Sequence, residues 1–153
     1  MSSEETIHEL VAAIENGDEA TIRGILAEEV SHIGSEESFS QDRIVESMLN
    51  LHDALAGMEY TVEGLWRDDG TNVLHLDLTG SFEEPFELRP GIDADPVTVE
   101  PTGEEIAGSS VYLLRFDDGE LDAMASFDDS QAMLGMGVIE YASGVGAAME
   151  ADD

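Results

Sequence analysis

PTGEEIAGSSVYLLRFDDGELDAMASFDD, residues Pro101 to Asp129, decides how the rest of the chain is read. Asp117-Asp118-Gly119 lies between two runs rich in β-branched, aromatic and aliphatic residues. Asp and Gly adopt the positive φ angles that a tight hairpin needs, so the stretch predicts two antiparallel strands, Ile106–Phe116 and Glu120–Phe127. The second strand ends in Phe127-Asp128-Asp129. A short apolar run follows, with Met133, Leu134 and Met136, closing at Gly137. It predicts a helix that starts at Asp129 or Ser130. The hairpin thus carries a carboxylate to a strand end where a helix begins.

The walls around that acid are read outward from it. Upstream, Ile7, Leu10, Val11 and Ile14 have the i, i+3, i+4, i+7 spacing of an amphipathic helix, stopped at Asn16-Gly17. Asp18 is a candidate cap for a second helix with Ile22, Ile25 and Leu26 inward. Ser40 is a candidate cap for a third, with Ile44, Met48, Leu49, Leu51 and Leu55 toward the core and Gly57 at its end. Between them, 28–40 reads as a polar connection. Strands are expected at Tyr60–Trp66 and Val73–Thr79, joined through Asp68-Asp69-Gly70. Strict alternation puts Tyr60, Val62 and Trp66 on one face. A short strand is expected within 80–88, and an irregular, Pro- and Gly-rich excursion across 89–101. Helices followed by an antiparallel meander and a short helix indicate an α+β fold, with helices on one face of a curved sheet and a conical cavity between them. One domain, 1–137, and a small-residue acidic tail, 138–153, are expected.

Composition bounds the function. The chain has 153 residues, 42% of them hydrophobic, enough for one core. It has no cysteine, which excludes disulfides and thiolate metal sites. Thirty-six Asp and Glu face five basic residues, all of them Arg, for a net charge of -31. Such a charge repels nucleic acid and anionic membranes. The acids are spread along the whole chain at regular periods rather than gathered in a tail. That pattern predicts a carboxylate-covered surface, as halophiles use where salt screens the repulsion, and a haloarchaeal source. The acidic N-terminus and the lack of a long apolar run predict a cytoplasmic protein. No two histidines have ligand spacing and no phosphate-binding glycine motif is present, so neither metal nor cofactor is expected. His8 and His52 read as surface residues.

The opening stretch resembles the SnoaL-like polyketide cyclases, also called ester cyclases, of the NTF2-like superfamily. The family pattern runs Pro-Thr-Gly, a strand, an Arg followed by an aromatic or aliphatic residue, Asp-Gly, a strand ending in Asp, and a short helix ending near Gly. In this chain it is matched by Pro101-Thr102-Gly103, Arg115-Phe116, Asp118-Gly119, Asp128 or Asp129, and Gly137; Val30-Ser31-His32 upstream is similar too. The resemblance implies an α+β cone and cofactor-free chemistry. A carboxylate removes a proton from carbon flanked by carbonyls, the enolate closes a ring, and the acid reprotonates the alkoxide. Desolvation would raise the carboxyl's pKa so that it serves as base and acid. Spacing from Gly119 favours Asp129; spacing from Gly137 favours Asp128. Leu121, Ala123, Ala125, Phe127 and Asp129 share one face of a regular strand, which favours Asp129 if no bulge intervenes. Either Asp could instead cap the last helix.

The expected pocket residues are His32, Trp66, His75, Phe82, Tyr112 and Phe127. Gly80-Ser81-Phe82 stands where members often carry Gly-Thr-His, and Ala123, Met124 and Ala125 stand where they often carry His or Trp. The expected partners are a small apolar carbonyl compound and, by resemblance, a second copy paired through the outer face of the sheet. Two further readings are a non-catalytic ligand-binding module and a dimerisation module of the same fold.

Overall fold

The computed structural model describes residues 2–88, 95 and 97–128. The first helix, α1 (Ser3–Asn16), opens with a capping box: Ser2 Oγ accepts from the Glu5 backbone N–H at 3.2 Å, and the Glu5 carboxylate reaches back to Ser2. It ends at Gly17, whose φ of 67° is the left-handed value that favours glycine. The His52 ring packs on this cap; a Cβ at residue 17 would come within 2.7 Å of it. His52 is therefore part of the helix packing, not a surface residue as its position in the sequence suggests. Asp18 caps α2 (Glu19–Ile25), and Ser40 caps α3 (Gln41–Ala54), both as expected. The third helix stops at Ala54, three residues before Gly57.

The segment read as a polar connection forms two strands, β1 (Leu26–His32) and β2 (Ser38–Ser40). After α3 come β3 (Leu55–Asp68), β4 (Thr71–Phe82), β5 (Phe86–Leu88), β6 (Val97–Val99), β7 (Glu105–Asp117) and β8 (Glu120–Asp128). The main sheet has the order β2-β1-β8-β7-β4-β3, while β5 and β6 form a separate ribbon. The sheet is mixed, not a pure antiparallel meander, because β1 runs parallel to β8. Both Asp-Gly hairpins take positive φ, at Asp69-Gly70 and at Asp118-Gly119. The last expected helix, Gly137 and the acidic tail lie outside the described residues, as does most of 89–101.

The central pair, β4 with β7, runs in unbroken register from Asn72↔Leu114 to Ser81↔Glu105. The flanking strands carry extra residues. In β3 the register shifts between Ala56 and Glu59 and again between Val62 and Gly64. In β8 it shifts between Leu121 and Ala123, opposite Arg115 and Phe116. Each is a bulge of one residue, which bends the strand and reverses the alternation of faces beyond it.

The inner face that results holds Tyr60, Val62 and Leu65 of β3, Leu74, Leu76 and Leu78 of β4, Tyr112 and Leu114 of β7, and Leu121, Met124 and Ser126 of β8. The helices cover it with Ile7, Leu10, Val11, Ile22, Ile44 and Val45, all buried. Each such side chain contributes about 1.5–3 kcal/mol by leaving water. Thr6 and Asn72 are the buried polar residues among those described.

Candidate functional site

A cavity of about 380 Å³ lies between the helices and the inner face. This is the size of a small-molecule site, roughly 300–1,000 Å³. Leu10, Val11 and Ile14 of α1 form one wall, and Ile44, Met48 and Leu51 of α3 a second. Leu74, Leu76 and Leu114 make the floor. Polar groups enter this apolar shell at six places: His32, Arg43, Ser47, Tyr60, Tyr112 and Ser126. Arg43 is the one charged group among the described lining side chains.

His32 is placed by the end of β1. Its backbone N–H donates to Glu37 at 2.8 Å, its Nδ1 lies 3.1 Å from Ser35 Oγ, and its ring stands edge-on to Phe39 with centroids 6.4 Å apart. The ring is thus held by a turn and an aromatic neighbour at the rim of the cavity. Tyr112 comes from β7, paired with Leu74 on one side and Ser126 on the other. Arg43 and Ser47 are one turn apart on α3 and so share a face with the apolar stripe.

Of the expected pocket residues, His32 and Tyr112 line the cavity. Four others do not. Trp66 lies beyond the second β3 bulge, pairs with Val73 on the outer face and is 58% exposed. Phe127 lies beyond the β8 bulge, pairs with Val111 and is 62% exposed. His75 is also outside, 3.6 Å from Asp77 Oδ1. Ser109 Oγ donates to the same Asp77 oxygen at 2.6 Å, and this bond holds Asp77 below the ordinary carboxylate range. Phe82 is inside but is fully buried core; its backbone is clasped by Glu104 and Gly103 rather than turned to the cavity.

The condition that favoured Asp129, a strand without a bulge, is not met. The inner positions of β8 are Leu121, Met124 and Ser126, and Ala125 also borders the cavity. By backbone register Asp128 shares the alternation of Met124 and Ser126 and pairs with Ser110. Asp129 lies outside the described residues. Sequence reasoning passed over Arg43, Ser47 and Ser126. The spacing of Arg43 and Ser47 beside Ile44, Met48 and Leu51 was the available signal for two of them.

A second hollow, about 710 Å³, runs along the solvent side of α3. Glu19, Asp42, Glu46, Asp53 and Glu87 line it together with Arg23 and Arg43, so it is charged and mostly acidic where the first is apolar; Arg43 and Ser47 border both. Among the described residues no cluster of His, Asp and Glu is arranged to hold a metal ion. No helix among them is long and apolar enough to cross a membrane.

No protein-family model matches the chain, and no curated protein matches it. Solved structures do. TsrD from Streptomyces laurentii superposes with a TM-score of 0.69 at 14% identity, covering 89% of this chain and 95% of TsrD. A SnoaL-like polyketide cyclase candidate from Jannaschia sp. CCS1 gives 0.68 at 18% identity, covering 88% and 90%. A SnoaL-like polyketide cyclase from Agrobacterium tumefaciens gives 0.66 at 11% identity, covering 88% and 96%. At these identities the likeness establishes the architecture: helices on a curved mixed sheet, the SnoaL-like form of the NTF2-like α+β fold.

Proposed function

We propose that the protein is a cofactor-free, polyketide-cyclase-type enzyme acting on a small, largely apolar carbonyl compound, with Asp128 as the acid/base and Asp129 as the alternative. The apolar cavity under α1 and α3, with hydrogen-bonding groups on its wall, is the observation that carries the reading. Support for Asp128 comes from its register on β8. In this scheme its carboxylate takes a proton from carbon flanked by carbonyls. His32, Tyr112 and Ser126 supply hydrogen bonds to the enolate oxygen. The enolate carbon then bonds to a ketone or aldehyde carbon of the same molecule, and Asp128 returns the proton to the new alkoxide. The names carried by the structural neighbours support the reaction class.

A second reading, a non-catalytic binding module of the same fold, is favoured by a specific feature: the described side chains lining the cavity include no carboxylate. We also propose a homodimer through the outer sheet face, where Trp66 and Phe127 expose large apolar surface. The carboxylate-covered surface supports a halophilic source.

Proton abstraction separates the enzyme from the binding module. Deuterium exchange beside the ketone of 2-tetralone, followed by NMR in salt-rich D₂O, should be accelerated by the wild type. Asp128→Asn should lose that acceleration by about 10²-fold or more, while Asp129→Asn keeps it. Equal rates in wild type and both variants would end the acid/base reading.

A further inference from the structure

We propose that His32 is a second proton carrier of the cavity and that Ser35 is the residue that positions it. This rests on the acid/base reading above, in which His32 only donates a hydrogen bond, and adds a proton transfer to it.

The ring is held from several sides. β1 brings His32 beside Met124 of β8, and the Ile33 backbone N–H donates to the Met124 carbonyl at 2.9 Å. Phe39 meets the ring edge-on. His32 and Met124 both line the cavity, with Ser126 two residues further along β8. Nδ1 lies 3.1 Å from Ser35 Oγ, which leaves Nε2 as the ring nitrogen for a ligand.

The chemistry of the Nδ1 partner decides what that nitrogen can do. Ser35 is followed by Glu36 and Glu37, yet the ring bonds the hydroxyl. An ionised carboxylate only accepts, so it would hold a proton on Nδ1. A hydroxyl accepts from Nδ1–H or donates to a bare Nδ1. Ser35 Oγ accepts the Glu37 backbone N–H at 3.1 Å with one lone pair, so its second lone pair and its proton remain for the ring. The ring therefore keeps its partner in both neutral tautomers and as imidazolium, and Nε2 gains or loses a proton without breaking it.

That freedom suits the enolisation step. Asp128 takes the proton from carbon, the C–H electron pair becomes the C=C bond, and the carbonyl π pair moves to oxygen. In an apolar shell, within a molecule of net charge -31, a bare oxyanion is costly. The imidazolium gives that oxygen its Nε2 proton. An enol forms and the ring is left neutral, with Nδ1–H still on Ser35. On ring closure the enol O–H proton returns to Nε2 as the carbonyl re-forms.

Deuterium exchange into 2-tetralone in salt-rich D₂O separates proton transfer from a hydrogen bond. His32→Gln keeps an N–H donor but has no proton to transfer. It should slow exchange at saturating ketone about tenfold or more, as should His32→Ala. Added imidazole should restore part of the rate to His32→Ala and none to Asp128→Asn. Ser35→Ala should lower kcat about three- to tenfold with KM within about twofold, and Ser35→Thr should stay near the wild type. The turn survives these changes, since Ser35 is exposed and the bonds from His32 N–H to the Glu37 carbonyl and from Ser35 N–H to the His32 carbonyl are backbone bonds. A His32→Gln that exchanges at the wild-type rate would show that a hydrogen bond suffices, and overturn the proposal. A slow His32→Ala that imidazole does not restore would make the role structural and overturn it too, as would a Ser35→Ala at the wild-type rate. In each of these cases loss of exchange in Asp128→Asn keeps the acid/base reading. A wild type that accelerates no exchange ends that reading and this proposal together.

Discussion

The two faces of the sheet are built from the same strands but have different chemistry and different packing. Leu113 and Leu114 are neighbours in β7 and identical as side chains. Leu114 is 2% exposed, pairs with Asn72 and Met124, and forms the cavity floor under the helices. Leu113 faces the other way, between Val73 and Ala125, and is half-buried. Around Leu114 stand leucines, tyrosines and the covering helices. Around Leu113 stand Trp66, Val73, His75, Val111 and Phe127, with no element of the described chain packed over them. The inner face therefore holds the fold together, and the outer face is apolar surface in search of a cover.

Truncating each leucine is the sharpest way to break this contrast. Leu114→Ala should cost about 2–5 kcal/mol, the range for a buried leucine whose surroundings cannot collapse. Leu113→Ala should cost less than about 1 kcal/mol in a monomer, because its methyl groups already meet water. Chemical denaturation in molar KCl, at two protein concentrations, measures both. Equal costs at both concentrations would mean that the outer face is covered within one chain. A Leu113→Ala cost that grows with protein concentration would mean that a second copy covers it.

Self-association is the next test. Phe127→Glu combined with Trp66→Glu places two charges in the outer patch and removes the exposed aromatic area. Sedimentation in molar KCl should show a dimer for the wild type and a monomer for the double variant, with thermal stability of the monomer little changed. Lowering the salt should also dissociate the wild type, because each copy carries a charge of -31 and screening weakens. A wild type that sediments as a monomer at every salt concentration would show that the patch serves another purpose.

How far these faces could be read in advance depended on where the strands depart from regularity. The three helices and both Asp-Gly hairpins were legible because each has a local cause: a capping side chain, an apolar stripe of period 3.6, or a positive φ. The strand β4 was legible because its pairing with β7 has no bulge, yet His75, expected in the pocket, lies on the face opposite Leu74 and Leu76. β1 was not, since Leu26 and Val30 are its buried residues, four apart, and this spacing gives no alternation to detect. Trp66 and Phe127 were placed on the wrong face for one shared reason. The extra residues are Glu63 and Asp122, and an acid reads as an outward position whether or not the strand is regular. A bulge is set by pairing with another strand, so it leaves little trace in the sequence of its own. In the site, His32 and Tyr112 were legible from resemblance and strand position. Arg43 was not, because beside so many acids a helical arginine reads as a surface counter-charge.

The smallest effect examines the outer face at one residue pair. Gly64 is the first paired residue after the β3 bulge, and a Cβ built there would overlap the six-membered part of the Trp66 ring. The ring of Trp66 therefore lies across the glycine, covering backbone that a strand glycine leaves open to water. In Gly64→Ala the ring must swing off the strand. Because Trp66 is exposed, nothing packed above it resists the movement, and alanine lowers the backbone entropy lost on folding. The two effects oppose each other, so stability should change by less than about 1 kcal/mol. The emission of the chain's single tryptophan should shift to the red and its near-ultraviolet dichroism should weaken, since the ring loses its fixed seat. Unchanged spectra would mean that Trp66 does not rest on Gly64, and the bulge at Glu63 would then have to be redrawn. A spectral shift accompanied by weaker self-association would mean that the seated ring, rather than apolar area alone, is what a second copy recognises.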